Sequence, residues 1–206
     1  MKKIKIKKII DNRELESLPK NKIETVNWPE AYSYAPEVSF IIAHTGREIL
    51  LKFFVKEQSV LALTTEDNGA VWTDSCVEFF IGLDETGYYN FEFNCIGTAL
   101  LGFRKERENF VHANQNILNT IERMSSSENQ PFEERKGDQK WELTVKIPVT
   151  AFFKHNIQDL SGIKAKANFY KCGDNLSVPH FLSWNPITNP VPNFHLEKFF
   201  GEIEFE

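Results

Sequence analysis

Residues 71–81 read Val-Trp-Thr-Asp-Ser-Cys-Val-Glu-Phe-Phe-Ile. This order places an aromatic ring, Trp72, at the mouth of a candidate strand and a carboxylate, Glu78, along it. A sugar offers two surfaces that such a pair can meet. Its ring face is a patch of C–H groups, which suits the negative π face of an indole. Its hydroxyl rim suits carboxylates, amides and guanidinium groups, whose charge-assisted bonds are the stronger ones. Trp72 and Glu78, with Asn94 from a following strand, supply both kinds of contact. A Trp that only packs at a sheet edge fits the same residues. Catalysis is an alternative: Asp74, Glu78 and Glu92 could approach the separation of about 5–9.5 Å that glycosidases use between two carboxylates.

Other chemistries find little support. His44, His112, His155, His180 and His195 are scattered without metal-ligand spacing. Met124 with a His could ligate haem, but no matching motif surrounds them. Neither a G-x-S-x-G elbow nor a phosphate loop occurs. The net charge of −5 argues against a nucleic-acid partner, which needs a basic stripe. No run reaches the roughly 18 apolar residues of a membrane span. Cys76, Cys95 and Cys172 are an odd count without C-x-x-C spacing, so three buried small side chains are expected. The start, Met1 to Lys8, resembles a signal n-region, but Asp11, Arg13, Glu14 and Glu16 stand where an apolar stretch would follow. The chain as given therefore carries no export signal and reads as cytoplasmic, or as exported if a signal has been trimmed.

These groups need a scaffold, and the dominant pattern is alternation. Ile49, Leu51, Phe53 and Val55 alternate with Leu50, Lys52, Phe54 and Lys56. Trp141, Leu143, Val145 and Ile147 alternate with Glu142, Thr144 and Lys146. Gly201, Ile203 and Phe205 do the same near the end. Each reads as a strand with one buried face, and 38–44, 59–64, 76–83, 88–96, 98–103 and 163–171 are further candidates. The 18 Phe suit broad sheet faces packed with rings. No linker or repeat divides the 206 residues. The expectation is one all-β domain over residues 1–206, an antiparallel β-sandwich of immunoglobulin or jelly-roll type with under about 15% helix. The Lys-rich strand 3–7 is expected at an edge. Helix is scarce: one turn at 150–154, and helix or strand at 117–124. Long loops are expected at 125–139 and 173–194, where binding loops often lie.

One hairpin allows a finer reading. Strands 76–83 and 88–96 flank the turn Asp84-Glu85-Thr86-Gly87. Val77, Phe79, Ile81 and Leu83 must share a buried face with Tyr89, Phe91, Phe93 and Cys95. Glu78, Phe80, Asn90, Glu92 and Asn94 then share the other, and Cys76 and Cys95 fall on opposite faces. The expected register sets Phe79 against Phe93 and Glu78 against Asn94, because the alternative sets Glu78 against Glu92.

Four stretches in order resemble the family 9 carbohydrate-binding modules and their DOMON-like relatives. They are Val26-Asn27-Trp28 with Tyr32 and Pro36; Val71 to Ile81; Tyr88 to Thr98; and Phe194-His195 followed by Phe200-Gly201-Glu202-Ile203. The resemblance implies non-catalytic binding of a glucan- or xylan-type oligosaccharide or its end, in the service of polysaccharide breakdown by a partner enzyme. In the family, two Trp side chains clamp a sugar and polar neighbours hold its hydroxyls. Trp72 matches the first Trp, and Trp184, on the late loop, is the best candidate for the second. Glu78 matches a polar contact, Arg104 resembles a family arginine loosely, and Trp28 is a third aromatic candidate. The resemblance also implies structural calcium, although no acidic cluster with calcium-ligand spacing stands out. A glycoside hydrolase and an interaction sandwich without sugar binding are the alternatives.

Overall fold

The structure is a computed structural model that describes residues 1–105 and 109–206. Its strands are β1 (Lys3–Lys8), β2 (Asn21–Lys22), β3 (Thr25–Val26), β4 (Glu37–His44), β5 (Glu48–Ala62), β6 (Cys76–Asp84), β7 (Gly87–Asn94), β8 (Ala99–Arg104), β9 (Phe110–His112), β10 (Glu122–Ser125), β11 (Phe132–Pro148), β12 (Lys164–Cys172), β13 (Phe181–Ser183) and β14 (Gly201–Phe205). Strand makes up 48% and helix 9%, as the alternation requires.

Two layers form. One runs β9-β8-β7-β6-β12-β14-β1 and the other β1-β4-β5-β11-β10. The apolar faces that the alternation predicts meet between them. Phe40 of β4 stacks on Phe169 of β12 with ring centroids 3.8 Å apart, and Phe169 stacks in turn on Phe79 of β6 at 4.9 Å. This ring column, with Leu51, Phe53, Leu143 and Phe91, is the main core. Burying such rings is worth about 1.5–3 kcal/mol each relative to exposure.

β1 departs from expectation. It is not an edge: Lys3–Ile6 run parallel to β14, and Lys7 and Lys8 pair with Ala43 and His44 of β4. It joins the layers and supplies the parallel pairs, while the other described pairings are antiparallel. Its lysines are exposed because they point outward from the sheet while Ile6 points into the core, so charge here marks a face and not an edge. The segment 125–139 is also corrected. Only its first part is loop, because β11 begins at Phe132 and pairs with the far end of β5. That extension is largely exposed and bulged, so it carries no apolar alternation to read. The ambiguous stretch 117–124 divides: α1 (Gln115–Leu118), capped by the Asn114 side chain, gives way to β10.

A polar cluster lies buried between the layers. Lys171 of β12 has Nζ 2.9 Å from Glu57 Oε2, an ion pair off hydrogen-bond geometry. Nζ also donates to Cys172 O at 2.8 Å and to His180 Nε2 at 2.7 Å. Trp141 Nε1 donates to Glu57 Oε1 at 2.6 Å. Burial, and the Lys171 charge after it, push His180 down to about 2, so its ring is neutral and can accept that bond. Removing one partner strands the other charge, at a cost of about 3–5 kcal/mol. Lys171→Met should therefore destabilise by that order in chemical denaturation. Adding Glu57→Gln to it should recover part of the loss; a double variant less stable than the single would refute the pairing.

Candidate functional site

The outer face of β6, β7, β8 and β12 is roofed by loops and holds a pocket of about 420 Å³. Trp72, Glu78, Glu92, Arg104, Phe110, Cys172, Asp174, Phe181, Phe194 and His195 are among its lining residues. Two larger clefts, of about 660 and 620 Å³, lie elsewhere; lysines and glutamates are prominent in their linings, and neither combines an exposed Trp with buried polar groups. The chemistry therefore points to the smaller pocket.

Trp72 is 39% exposed at its mouth, on a short 3-10 turn, Val71–Thr73. The motif around it explains the placement. Val71 is fully buried and anchors the turn, and Thr73 Oγ1 donates to Ala70 O at 2.7 Å. Asp74 accepts from Leu63 N at 3.0 Å on one oxygen, and from Thr64 N and Asn94 Nδ2 at 2.9 Å each on the other. Ser75 Oγ accepts from Leu61 N at 3.2 Å. The backbone oxygens of Trp72 and Thr73 accept from Asp174 N and Asn175 N, which ties the mouth to the turn after β12. Asp74 and Ser75 thus hold the backbone from which Trp72 projects.

The floor is built by the β6–β7 hairpin, whose register corrects the sequence reading. Phe79 faces Phe91, Ile81 faces Tyr89, and Glu78 faces Glu92. The slip from the expected pairing is two residues, so every side chain keeps its expected face. Asp84 pairs with Gly87 around a two-residue loop, and a bulge between Gly82 and Asp84 shifts the ladder by one residue into this register. Gly87 has φ +148°, and a Cβ there would lie 2.5 Å from Arg104 O. The like-charge objection fails because the two glutamates are not both ionised. Burial, with Cys172 and Glu92 adding to it, holds Glu78 well above the usual carboxylate range. Burial pushes Glu92 up to about 7 against the opposing pull of Asn90 and Arg104. Cys172 donates its S–H to Glu78 Oε1 at 3.1 Å. Arg104 Nε donates to Asn90 Oδ1 at 3.2 Å, and Asn90 Nδ2 to Glu92 Oε1 at 2.8 Å, a relay along the floor. Gly102 leaves room for it, since a Cβ there would meet Asn90 Oδ1 at 2.7 Å.

Of the five candidate residues, Trp72, Glu78 and Arg104 converge on this pocket and two do not. Asn94 is fully buried at the end of β7. Its Nδ2 donates to Thr64 O and Asp74 Oδ2, and its Oδ1 accepts from Thr98 N, so it shapes a turn. Trp184 is 3% exposed and belongs to the main core, edge-on to Phe169. Its ring lies so close to Gly201 that a Cβ there would meet it at 2.4 Å. Trp28 is also buried. It donates Nε1–H to Asn189 O at 2.6 Å and braces Phe181 and Phe194 from behind the pocket wall. Sequence reasoning missed Asp174, which is exposed on its turn while partial desolvation of its carboxyl pushes it up to about 6, and His195, whose Nδ1 lies 3.1 Å from Tyr88 Oη. It also missed Phe110, 48% exposed. The Gly173-Asp174-Asn175 turn signal directly after β12 is the one clue that could have drawn attention to Asp174.

Calcium finds no all-oxygen cage among these groups. Asp74 is consumed by N–H donors, and Asp67 is taken by Arg123 and Gln115. The one metal-competent cluster among the described residues, Cys76, Glu78 and Cys172, carries two sulfurs, which suit softer ions.

A β-sandwich with a roofed pocket that joins an exposed indole to buried polar groups has the types of contact that a sugar-binding module uses. Comparison agrees: the model for carbohydrate-binding family 9 matches residues 6–205, and the chain belongs to that family. It is similar to a candidate carbohydrate-binding protein of Bacteroides uniformis, at 46% identity over 100% of this chain and 99% of that one, with a TM-score of 0.95. Two structures of a family 9 module from Caldicellulosiruptor kristjanssonii, one with glucose and one with cellotriose, share its fold at 11% identity and a TM-score of 0.63. They cover 100% of this chain and 96% and 94% of theirs. Comparison with curated proteins gives no match.

The raised carboxyl groups have a stability consequence. Glu92 titrates near 7 in the fold, against about 4.3 when unfolded, so between those values the folded chain binds the extra proton. Its contribution to stability is greatest below about pH 4 and is lost as pH rises towards about 7. His180, lowered in the fold, acts in the opposite sense over part of this range, so the check is a difference between variant and parent. Thermal melts should show Glu92→Gln gaining on the parent between pH 5 and pH 8; a constant difference would contradict the assignment.

Proposed function

We propose that the protein binds carbohydrate without cleaving it, holding a sugar residue or chain end in the Trp72 pocket. The observation that carries this reading is the exposed Trp72 ring beside a floor of buried, partly protonated carboxyl groups. The pyranose lies with one face on Trp72. Glu78, Glu92, Arg104 and Asp174 meet its hydroxyls, and Phe110, the exposed ring of the lining, flanks it in the place assigned to Trp184 from the sequence. A protonated carboxyl both donates and accepts, as vicinal hydroxyls do, and it enters the pocket without the cost of desolvating a charge. The glucose and cellotriose bound by the Caldicellulosiruptor modules support a glucan-type ligand. A role beside a polysaccharide-degrading partner enzyme extends this reading.

Tryptophan fluorescence titrated with glucose, cello-oligosaccharides and xylo-oligosaccharides tests it. Trp72→Ala should weaken binding about 5- to 30-fold, since a stacking ring contributes on the order of 1–2 kcal/mol. Trp184→Phe should keep affinity within about twofold while lowering the melting temperature. If Trp72→Ala binds as the parent does, the ligand sits elsewhere; if the parent binds no sugar in the panel, the family likeness describes fold alone. Incubation with chromogenic glycosides should release no product.

A further inference from the structure

In the floor of the pocket lies a cluster of which the sugar reading uses Glu78 alone. Cys76 and Cys172 face each other directly on the antiparallel pair β6 and β12, and Glu78 is two residues along β6 on the same face. One ligand atom from each lies within 4.8 Å of the other two. Both cysteines are free thiols, and all three side chains are at least nine-tenths buried. Cys95, the remaining thiol, faces the main core on the opposite side of the sheet.

We propose that Cys76, Glu78 and Cys172 form a binding site for a soft or borderline divalent cation of the zinc and cadmium class, with its open coordination position facing the sugar pocket. The geometry is close to what such an ion needs. Tetrahedral bonds of about 2.0–2.3 Å place neighbouring ligand atoms roughly 3–4 Å apart. Cys172 Sγ and Glu78 Oε1 are already 3.1 Å apart, and the Cys76 thiol lies within 4.8 Å of both. Two sulfurs with one carboxylate select zinc or cadmium over calcium or magnesium, which take oxygen ligands. Glu78 and Cys172 line the pocket while Cys76 lies under them, so an ion held by the three leaves its fourth position to water or to a hydroxyl entering the pocket. Three protein ligands and an open position is the arrangement of zinc sites that engage a ligand.

The cluster also explains a poor core choice. Three acidic hydrogens sit together in a dry layer, with burial pushing Cys76 up to about 12. A divalent ion replaces them: two thiol protons and the Glu78 proton leave, and the complex carries one net negative charge. Binding should therefore be strongly pH-dependent and should release protons.

The test uses the whole chain, reduced, stripped with chelator and titrated with Cd²⁺ alone, so its result does not depend on the sugar reading. One Cd²⁺ per chain is expected, with an ultraviolet thiolate-to-metal charge-transfer band and release of two to three protons into weak buffer. Cys76→Ser and Cys172→Ser should each weaken binding at least tenfold, whereas Cys95→Ser should leave it unchanged. X-ray absorption of the loaded parent should show two sulfur neighbours, a readout that needs no variant to fold. An oxygen- and nitrogen-only shell, or a charge-transfer band lost in Cys95→Ser and kept in Cys76→Ser, overturns the proposal. So does a lack of Cd²⁺ uptake by a chain whose three thiols titrate as free.

Discussion

The arrangement depends on β6, β7 and β12 being covered on both faces. Their inner side chains enter the ring column between the layers. Their outer side chains lie under a second apolar cluster in which Phe80, Tyr88, Tyr170 and Phe200 meet Trp28 and Phe194 from the loops. A strand with one wet face could carry Glu78 and Glu92 as ordinary surface carboxylates. Here the same residues are out of water, and low polarity sets their protonation. The strand pairing follows from this. Directly opposed glutamates are unfavourable when both are charged, and the second cover keeps them from both being so.

Full use of hydrogen-bonding capacity separates scaffold from site. Asp74 and Asn94 have the residue types expected of sugar contacts, yet N–H groups and carbonyls of neighbouring turns occupy them. They fix where β6 begins, where β7 ends and, through the short turn between Val71 and Thr73, where the indole of Trp72 stands. Breaking such a buried bond leaves its partner unsatisfied, at a cost of about 1–3 kcal/mol. The position of the pocket mouth thus rests on groups whose hydrogen bonds are already taken within the scaffold.

How far the sequence could be read follows from which physical signal each feature carries. Period-two alternation reports burial of one face, and it located the first half of β5, β6, β7, the second half of β11 and β14 with their inner residues correct. The exposed extension of β11 and the layer-joining role of β1 carry no such signal, because backbone pairing alone defines them. Faces were legible in the β6–β7 hairpin and register was not, since a shift of two residues leaves the faces unchanged. The decisive fact, that both glutamates are dehydrated, lies in loops between residues 185 and 200 whose path local sequence does not specify.

Trp72 and Trp184 show the same limit at the level of one residue type. Each follows a small polar or apolar residue near a strand end, and each fits a sugar-stacking position by sequence. Trp72 sits before its strand, on a turn that Asp74 holds against β5, and the turn leaves its ring at the surface. Trp184 comes directly after β13, whose pairing with β12 carries the ring inward over Phe169 and onto Gly201, where the absence of a side chain makes room. With Gly201 as its seat, Trp184 is a packing residue whose position the core requires. A clamp of two indoles is therefore not available to this chain without rebuilding the junction of β12, β13 and β14. At 11% identity the sugar-bound structures establish the shared sandwich alone, so the placing of each ring is read from this chain's own packing.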